Sequence, residues 1–262
     1  MDPSFEAGRT APADTLALEL ATAPLAFLEG ALANPVMQPD LVSILLKNHA
    51  VTGQLIVRIS ARREWLKAYE VKAAIVLHPK TPRAVAMNLV QFLWWRDLAK
   101  LADDTLLAPP LRRAAERILS LRIQELALGE KIALARIASR GVIHVLTKQE
   151  HPMVIRALLQ NPRLVEEDAL VIASARGTPS GVLQTLAEDA RFSKRPSVQK
   201  ALVQNHATPA ATALRIVQGL GAQTLKELAR APHVPTLVKV AVQRILDDRE
   251  HPQGGSSPAP GI

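Results

Sequence analysis

Apolar residues recur along the chain in short runs spaced i, i+3, i+4, as in Val198, Ala201 and Leu202. Nowhere do they alternate with polar residues for long enough to predict a strand. Between the runs stand steps that stop a helix: Asn34-Pro35, Asn48-His49, His78-Pro79, Asn161-Pro162 and Asn205-His206. Proline fixes its own φ and drives the preceding residue out of the α region, so each X-Pro step closes one helix. Thr81-Pro82, Thr178-Pro179 and Thr208-Pro209 read as helix starts, with Thr as cap and Pro at the tolerated first position. Ile132, Leu134, Ala135 and Ile137 predict a helix opening near Gly129-Glu130 and ending near Gly141, followed by a short one over Val142–Thr147. The expected fold is all-α, with helices of roughly 8–12 residues joined by tight turns.

The pattern repeats on a longer scale. Leu32–Leu119 slides onto Leu159–Leu246 at one constant shift without a gap, with 21 identities in 88 positions. Asn34-Pro35 falls on Asn161-Pro162, Thr81-Pro82 on Thr208-Pro209, and Arg117-Ile118-Leu119 on Arg244-Ile245-Leu246. The expected organisation is a tandem duplication within a single α-solenoid over residues 14–248. Its first copy spans 32–119, a helical linker 120–158, and the second copy 159–246. Residues 1–13 are polar and 249–262 rich in Gly, Ser and Pro, so both ends are expected to be disordered.

The stretch Val198-x-x-Ala201-Leu202-Val203-x-Asn205-x-x-Thr208-Pro209 follows Thr178-Pro179-x-x-Val182-Leu183-x-x-Leu186-Ala187-x-Asp189. Together they resemble the leucine-rich-repeat-variant class of bacterial helical repeats and, more loosely, HEAT-like repeats. The likeness is best over Val154–Leu246, weaker in the first copy, and absent from both tails. It implies a right-handed superhelix of short helices with a binding or scaffolding role. Nothing here corresponds to the cysteine-rich segment of the family member that carries an iron–sulfur cluster.

Composition narrows the chemistry. The chain has 262 residues, 48% of them hydrophobic, with only 4 Phe, 3 Trp and 1 Tyr. Its core must therefore be aliphatic. The absence of cysteine removes disulfides, thiolate metal sites and a cysteine nucleophile, and fits a cytoplasmic protein. No run reaches the roughly 20 apolar residues of a membrane span, so membrane insertion is not expected. Met1–Glu6 has neither the basic nor the apolar part of a signal peptide. The net charge of +8 favours acidic partners, nucleic acid among them, although a solvated Arg-rich helical surface yields the same total.

Motifs for catalysis are lacking. No two of the 7 histidines have His-x-x-x-His spacing, and several sit at helix ends, where an imidazole can serve a carbonyl or the dipole. Glu166-Glu167-Asp168 reads as a favourable first helical turn. No Gly-x-Ser-x-Gly elbow occurs, and Gly219-Leu220-Gly221 lacks both the strand and the third glycine of a dinucleotide loop. No catalytic, cofactor or metal residue is expected, and the chain is read as a non-enzyme.

Residues that the two copies do not share single out a binding candidate. Trp94-Trp95-Arg96 falls on Gly221-Ala222-Gln223, so the repeat does not require either indole. Neighbouring helical residues point about 100° apart, so at least one ring should lie near the surface. Leu16–Leu28 or the linker helix would otherwise pack over the rings. Trp65 and Phe192, by contrast, share one shifted position, which suits interior packing. The expected function is a protein–protein interaction scaffold that takes a protein or peptide through Trp94, Trp95 and Arg96. The alternative is a nucleic-acid-binding solenoid, in its strongest form similar to HEAT-like alkylpurine DNA glycosylases. Trp94-Trp95-Arg96-Asp97 and a pI near 10.1 support that alternative, although their order matches no glycosylase motif.

Overall fold

The computed structural model describes residues 2–250, and the side chain of Glu250 is left aside. Among the described residues the protein is all-helical: eighteen α-helices, three 3₁₀ turns and no strand. The chain divides between Gln124 and Glu125 into two compact units.

The first unit contains α1 (Pro3–Thr10), α2 (Ala13–Glu19), α3 (Leu25–Ala31), α4 (Pro39–Leu45), α5 (Gly53–Ala61), α6 (Tyr69–Leu77), α7 (Arg83–Leu89), α8 (Trp95–Asp103) and α9 (Pro109–Arg122). The second contains α10 (Leu128–Ile137), α11 (Arg140–Leu146), α12 (Pro152–Leu159), α13 (Glu166–Ser174), α14 (Ser180–Glu188), α15 (Pro196–Gln204), α16 (Ala210–Gly219), α17 (Ala222–Arg230) and α18 (Thr236–Glu250). The shift that sets Leu32 on Leu159 also sets the bounds of α2 on α11, α5 on α14, α6 on α15 and α8 on α17. Within each unit most helices pack on the helix two further along: α1 on α3, α4 on α6 and α7 on α9, then α10 on α12, α13 on α15 and α16 on α18.

The core is aliphatic and follows the helical stripes. Val71, Ile75, Val198 and Leu202 are fully buried, and Ala201 nearly so. Trp65 and Phe192 are both buried, each beneath a guanidinium, with Arg62 5.0 Å from the Trp65 ring and Arg191 4.7 Å from the Phe192 ring. These two aromatics fill the interior.

Helix ends that short helices leave unsatisfied are closed by asparagine side chains. The Asn34 amide donates to the carbonyls of Gly8 and Ala11, and its oxygen accepts the Val36 N–H. Asn161 makes the same three bonds, to Ala135, Ala138 and Arg163. Asn48 after α4 and Asn205 after α15 make the same three kinds of bond.

Several sequence-based expectations differ from this picture. The disorder expected of residues 1–13 is not found over 2–13: Asp2 caps α1 by accepting the Ser4 N–H, and Gly8 is buried against α3. Close backbone packing there outweighs a polar composition. The unit boundary falls inside the expected 120–158 linker, so Ile123 is buried at the end of the first unit while α10 packs on α12 in the second. Thr81, Thr178 and Thr208 do not cap the following helices, whose N-caps are Pro82, Pro179 and Pro209. Their hydroxyls instead donate backwards to the carbonyls of Ile75, Ile172 and Leu202. The expected tail starts at Arg249, yet α18 runs through Glu250; residues 251–262 lie outside the described residues.

Candidate functional site

The chain enters the candidate surface through a tight turn. After α7, a 3₁₀ turn over Val90–Phe92 leads to Leu93, which is fully buried and extended. The Arg122 guanidinium clamps this turn by donating to the carbonyls of Leu93 and Gln91. Trp94 follows as the extended N-cap of α8 and swings outward. Trp95, the first helical residue, shares a face with buried Leu98 and Ala99 and is half-buried, whereas Arg96 is exposed.

The Trp94 indole is 62% exposed, yet it is not loose. It stacks face to face on Tyr69 at the start of α6, with centroids 3.7 Å apart and planes 9° apart. The Tyr69 hydroxyl accepts the Trp94 N–H at 3.0 Å and donates to the Asp97 carboxylate. Lys100 pairs with the other Asp97 oxygen at 3.0 Å. Two cations lie over neighbouring rings: Lys72 stands 5.5 Å from Phe92, and Arg96 stands 5.3 Å from Trp95. Phe92 is itself about half exposed. The surface is an aromatic shelf with a cationic rim.

Titration follows from these contacts. Burial, and then the hydrogen bond to Asp97, push the Tyr69 hydroxyl up to about 12. Burial works against ionisation of Asp97, but hydrogen bonds from Tyr69 and Lys100 outweigh it and hold the carboxyl below its ordinary range. At neutral pH the phenol stays protonated and the carboxylate stays charged. Neither is poised to exchange a proton, so the arrangement can position and bind.

Of the three residues singled out in the sequence, Trp94 and Arg96 are exposed and Trp95 is half-buried. The covering expected from Leu16–Leu28 or from the 120–158 segment is not what Trp94 has, since its ring rests on Tyr69 and its other face meets solvent. Sequence reasoning missed Tyr69, Phe92 and Lys72. The signal was present in the internal sequence match, whose register sets Tyr69 against Pro196 and Phe92 against Gly219. None of Tyr69, Phe92, Trp94 and Trp95 falls on an aromatic in the second unit.

The acidic run Glu166-Glu167-Asp168 opens α13, where Asp168 accepts the Val165 N–H and pairs with Arg140. No group of three metal-ligating side chains occurs among the described residues, and no helix there is long and apolar enough to cross a membrane. No protein-family model matches the chain, and no curated protein or solved structure is significantly similar to it.

Proposed function

We propose that the protein is a non-enzymatic interaction module whose first unit docks an acidic segment of a partner protein on the shelf of Tyr69, Phe92, Trp94 and Trp95. One observation carries this reading: a largely exposed indole is stacked on Tyr69, whose hydroxyl also accepts the Trp94 backbone N–H, and the second unit has neither aromatic. Exposing an aromatic ring to water forgoes favourable burial, and fixing it in advance lowers the entropy lost when a partner binds. Trp, Tyr and Arg are also the side chains that concentrate energy at interfaces. Lys72, Arg96 and Lys100 at the rim suit carboxylates on the partner.

In this reading the two units are copies of one α-solenoid segment, similar to leucine-rich-repeat-variant and HEAT-like arrays, acting in the cytoplasm. The recurring helix bounds and the recurring asparagine bonds support a duplication. Packing of most helices on the second helix along supports layered repeats. One copy retained the plain structural surface and the other acquired the shelf.

The test is selection of random displayed peptides on the full chain, with counter-selection on Trp94→Ala. The expected result is a set of peptides that share acidic residues around an apolar anchor and lose binding to the variant. Selected peptides that bind Trp94→Ala equally well would defeat the proposal. Tight binding of generic duplex DNA that fades steeply with salt would replace it with the nucleic-acid reading.

A further inference from the structure

The second unit holds a cavity of about 510 Å³ at the C-terminal ends of α13 and α15. Its lining includes three basic side chains, Arg176, His206 and His233, and neutral Ser174 and Gln204, but no carboxylate. None of the three basic side chains makes a hydrogen bond or an ion pair among the described residues. All three are exposed.

Basic residues at a helix C-terminus usually need no further account, because they serve the last carbonyls and the negative end of the dipole. Here that work is done by other groups. The Asn205 amide donates to the carbonyls of Ala173 and Ala175 at the end of α13. The Thr208 hydroxyl donates to the Leu202 carbonyl in the last turn of α15. The basic side chains are left to face the cavity.

The first unit has a counterpart in the same register. Its cavity, about 550 Å³, is lined by Lys47, His49, His78 and Lys80 and also lacks a carboxylate. In the register that sets Leu32 on Leu159, His49 falls on Arg176, His78 on Asn205 and Pro79 on His206. The residues differ while the basic character is kept, which packing or capping of individual helices would not demand. The first cavity has committed part of its donors: the Lys80 ammonium donates to the His49 carbonyl, and its N–H to the His78 ring. Among the described residues, the three basic side chains of the second cavity have no partner.

We propose that the cavity of the second unit binds a small phosphomonoester, with the phosphoryl oxygens taken by Arg176, His206 and His233. A guanidinium fork offers paired N–H donors to two oxygens, and imidazoles supply further donors from other directions. A volume near 510 Å³ exceeds what a bare phosphate fills and falls within the range of small-molecule sites. Gln204 and Ser174 offer hydrogen bonds to the organic part, and Ala201 offers an apolar wall.

Phenyl phosphate, added to the full chain and followed by NMR of the histidine imidazoles and by calorimetry, tests the site. The expected result is saturable binding that perturbs His206 and His233 and weakens about tenfold or more in Arg176→Gln, as befits loss of a charge-assisted hydrogen bond. Arg176 is exposed and makes no bond, so this variant keeps the fold, which circular dichroism verifies. Arg215→Gln, an equal loss of charge at an exposed position of α16, should bind as the parent does. Trp94→Ala should also bind phenyl phosphate normally, which separates this site from the aromatic shelf. Three results overturn the proposal: no imidazole response to the probe, an Arg176→Gln variant that binds unchanged, or equal weakening in Arg215→Gln. A phosphoserine peptide or duplex DNA that binds here while phenyl phosphate does not overturns it as well.

Discussion

Asn34 and Asn161 hold the same place in the two units and make the same three hydrogen bonds: two from the amide to carbonyls at earlier helix ends, one from a following N–H to the amide oxygen. Each side chain is buried, so its partners have no water to fall back on. Replacing Asn161 with Ala strands the Ala135 and Ala138 carbonyls and should cost about 2–3 kcal/mol. Asn161→Asp should cost at least as much at neutral pH, because it sets a carboxylate against two carbonyl oxygens. Urea unfolding measures both, and a change in Asn161→Ala below about 0.5 kcal/mol would remove the asparagine from the account.

Gly8 and Gly30 let α1 and α3 approach until their backbones touch. A Cβ on Gly30 would run into the Phe5 carbonyl, and one on Gly8 into the Phe27 carbonyl. Neither obstacle is a flexible side-chain end. Gly30→Ala should therefore destabilise the first unit by about 1–3 kcal/mol despite the better helix propensity of alanine. Thermal unfolding decides it, and a raised midpoint would contradict the close packing.

Two tryptophans in the first unit should respond in opposite ways. Trp65 is buried at 5% exposure and fills the interior, so Trp65→Ala should cost about 3–5 kcal/mol. Trp94 is largely exposed, and Trp94→Ala should cost far less while abolishing capture of selected peptides. Unfolding curves of the two variants, taken together, test the division between core and surface.

Tyr69 is the chain's single tyrosine, so near-ultraviolet absorbance titrates it alone. Its hydroxyl is pushed up from 10.0 to about 12 by burial and then by the bond to Asp97. The folded state holds this proton more tightly than the unfolded chain does. The associated stability is fully present below pH 10 and is lost as pH rises from 10 toward 12. Asp97→Asn should move the phenol midpoint down toward 10, leaving the burial contribution. A midpoint near 10 in the parent protein would show that the Tyr69 bond to Asp97 is not made.

The sequence by itself determined roughly where many helices stop and which faces are apolar, because proline sterics and the i, i+3, i+4 spacing act over a few residues; Gly141, expected to end a helix, instead lies inside α11. It also exposed the register of the internal sequence match and the singularity of Trp94, Trp95 and Arg96, since both are comparisons of residues with residues. Tertiary structure alone decided what depends on which helix end meets which. Thr81 and Thr208 lie beside Pro in a pattern that suits capping, but their hydroxyls reach carbonyls six residues back, an alternative that spacing cannot rank. Gly8 and Gly30 acquire meaning only from the approach of α1 to α3. Tyr69 and Trp94 are 25 residues apart, and only packing of the first unit stacks them. Arg176, His206 and His233 are scattered basic side chains in the sequence and become one site because the turns after α13 and α15 and the turn before α18 open onto the same cavity.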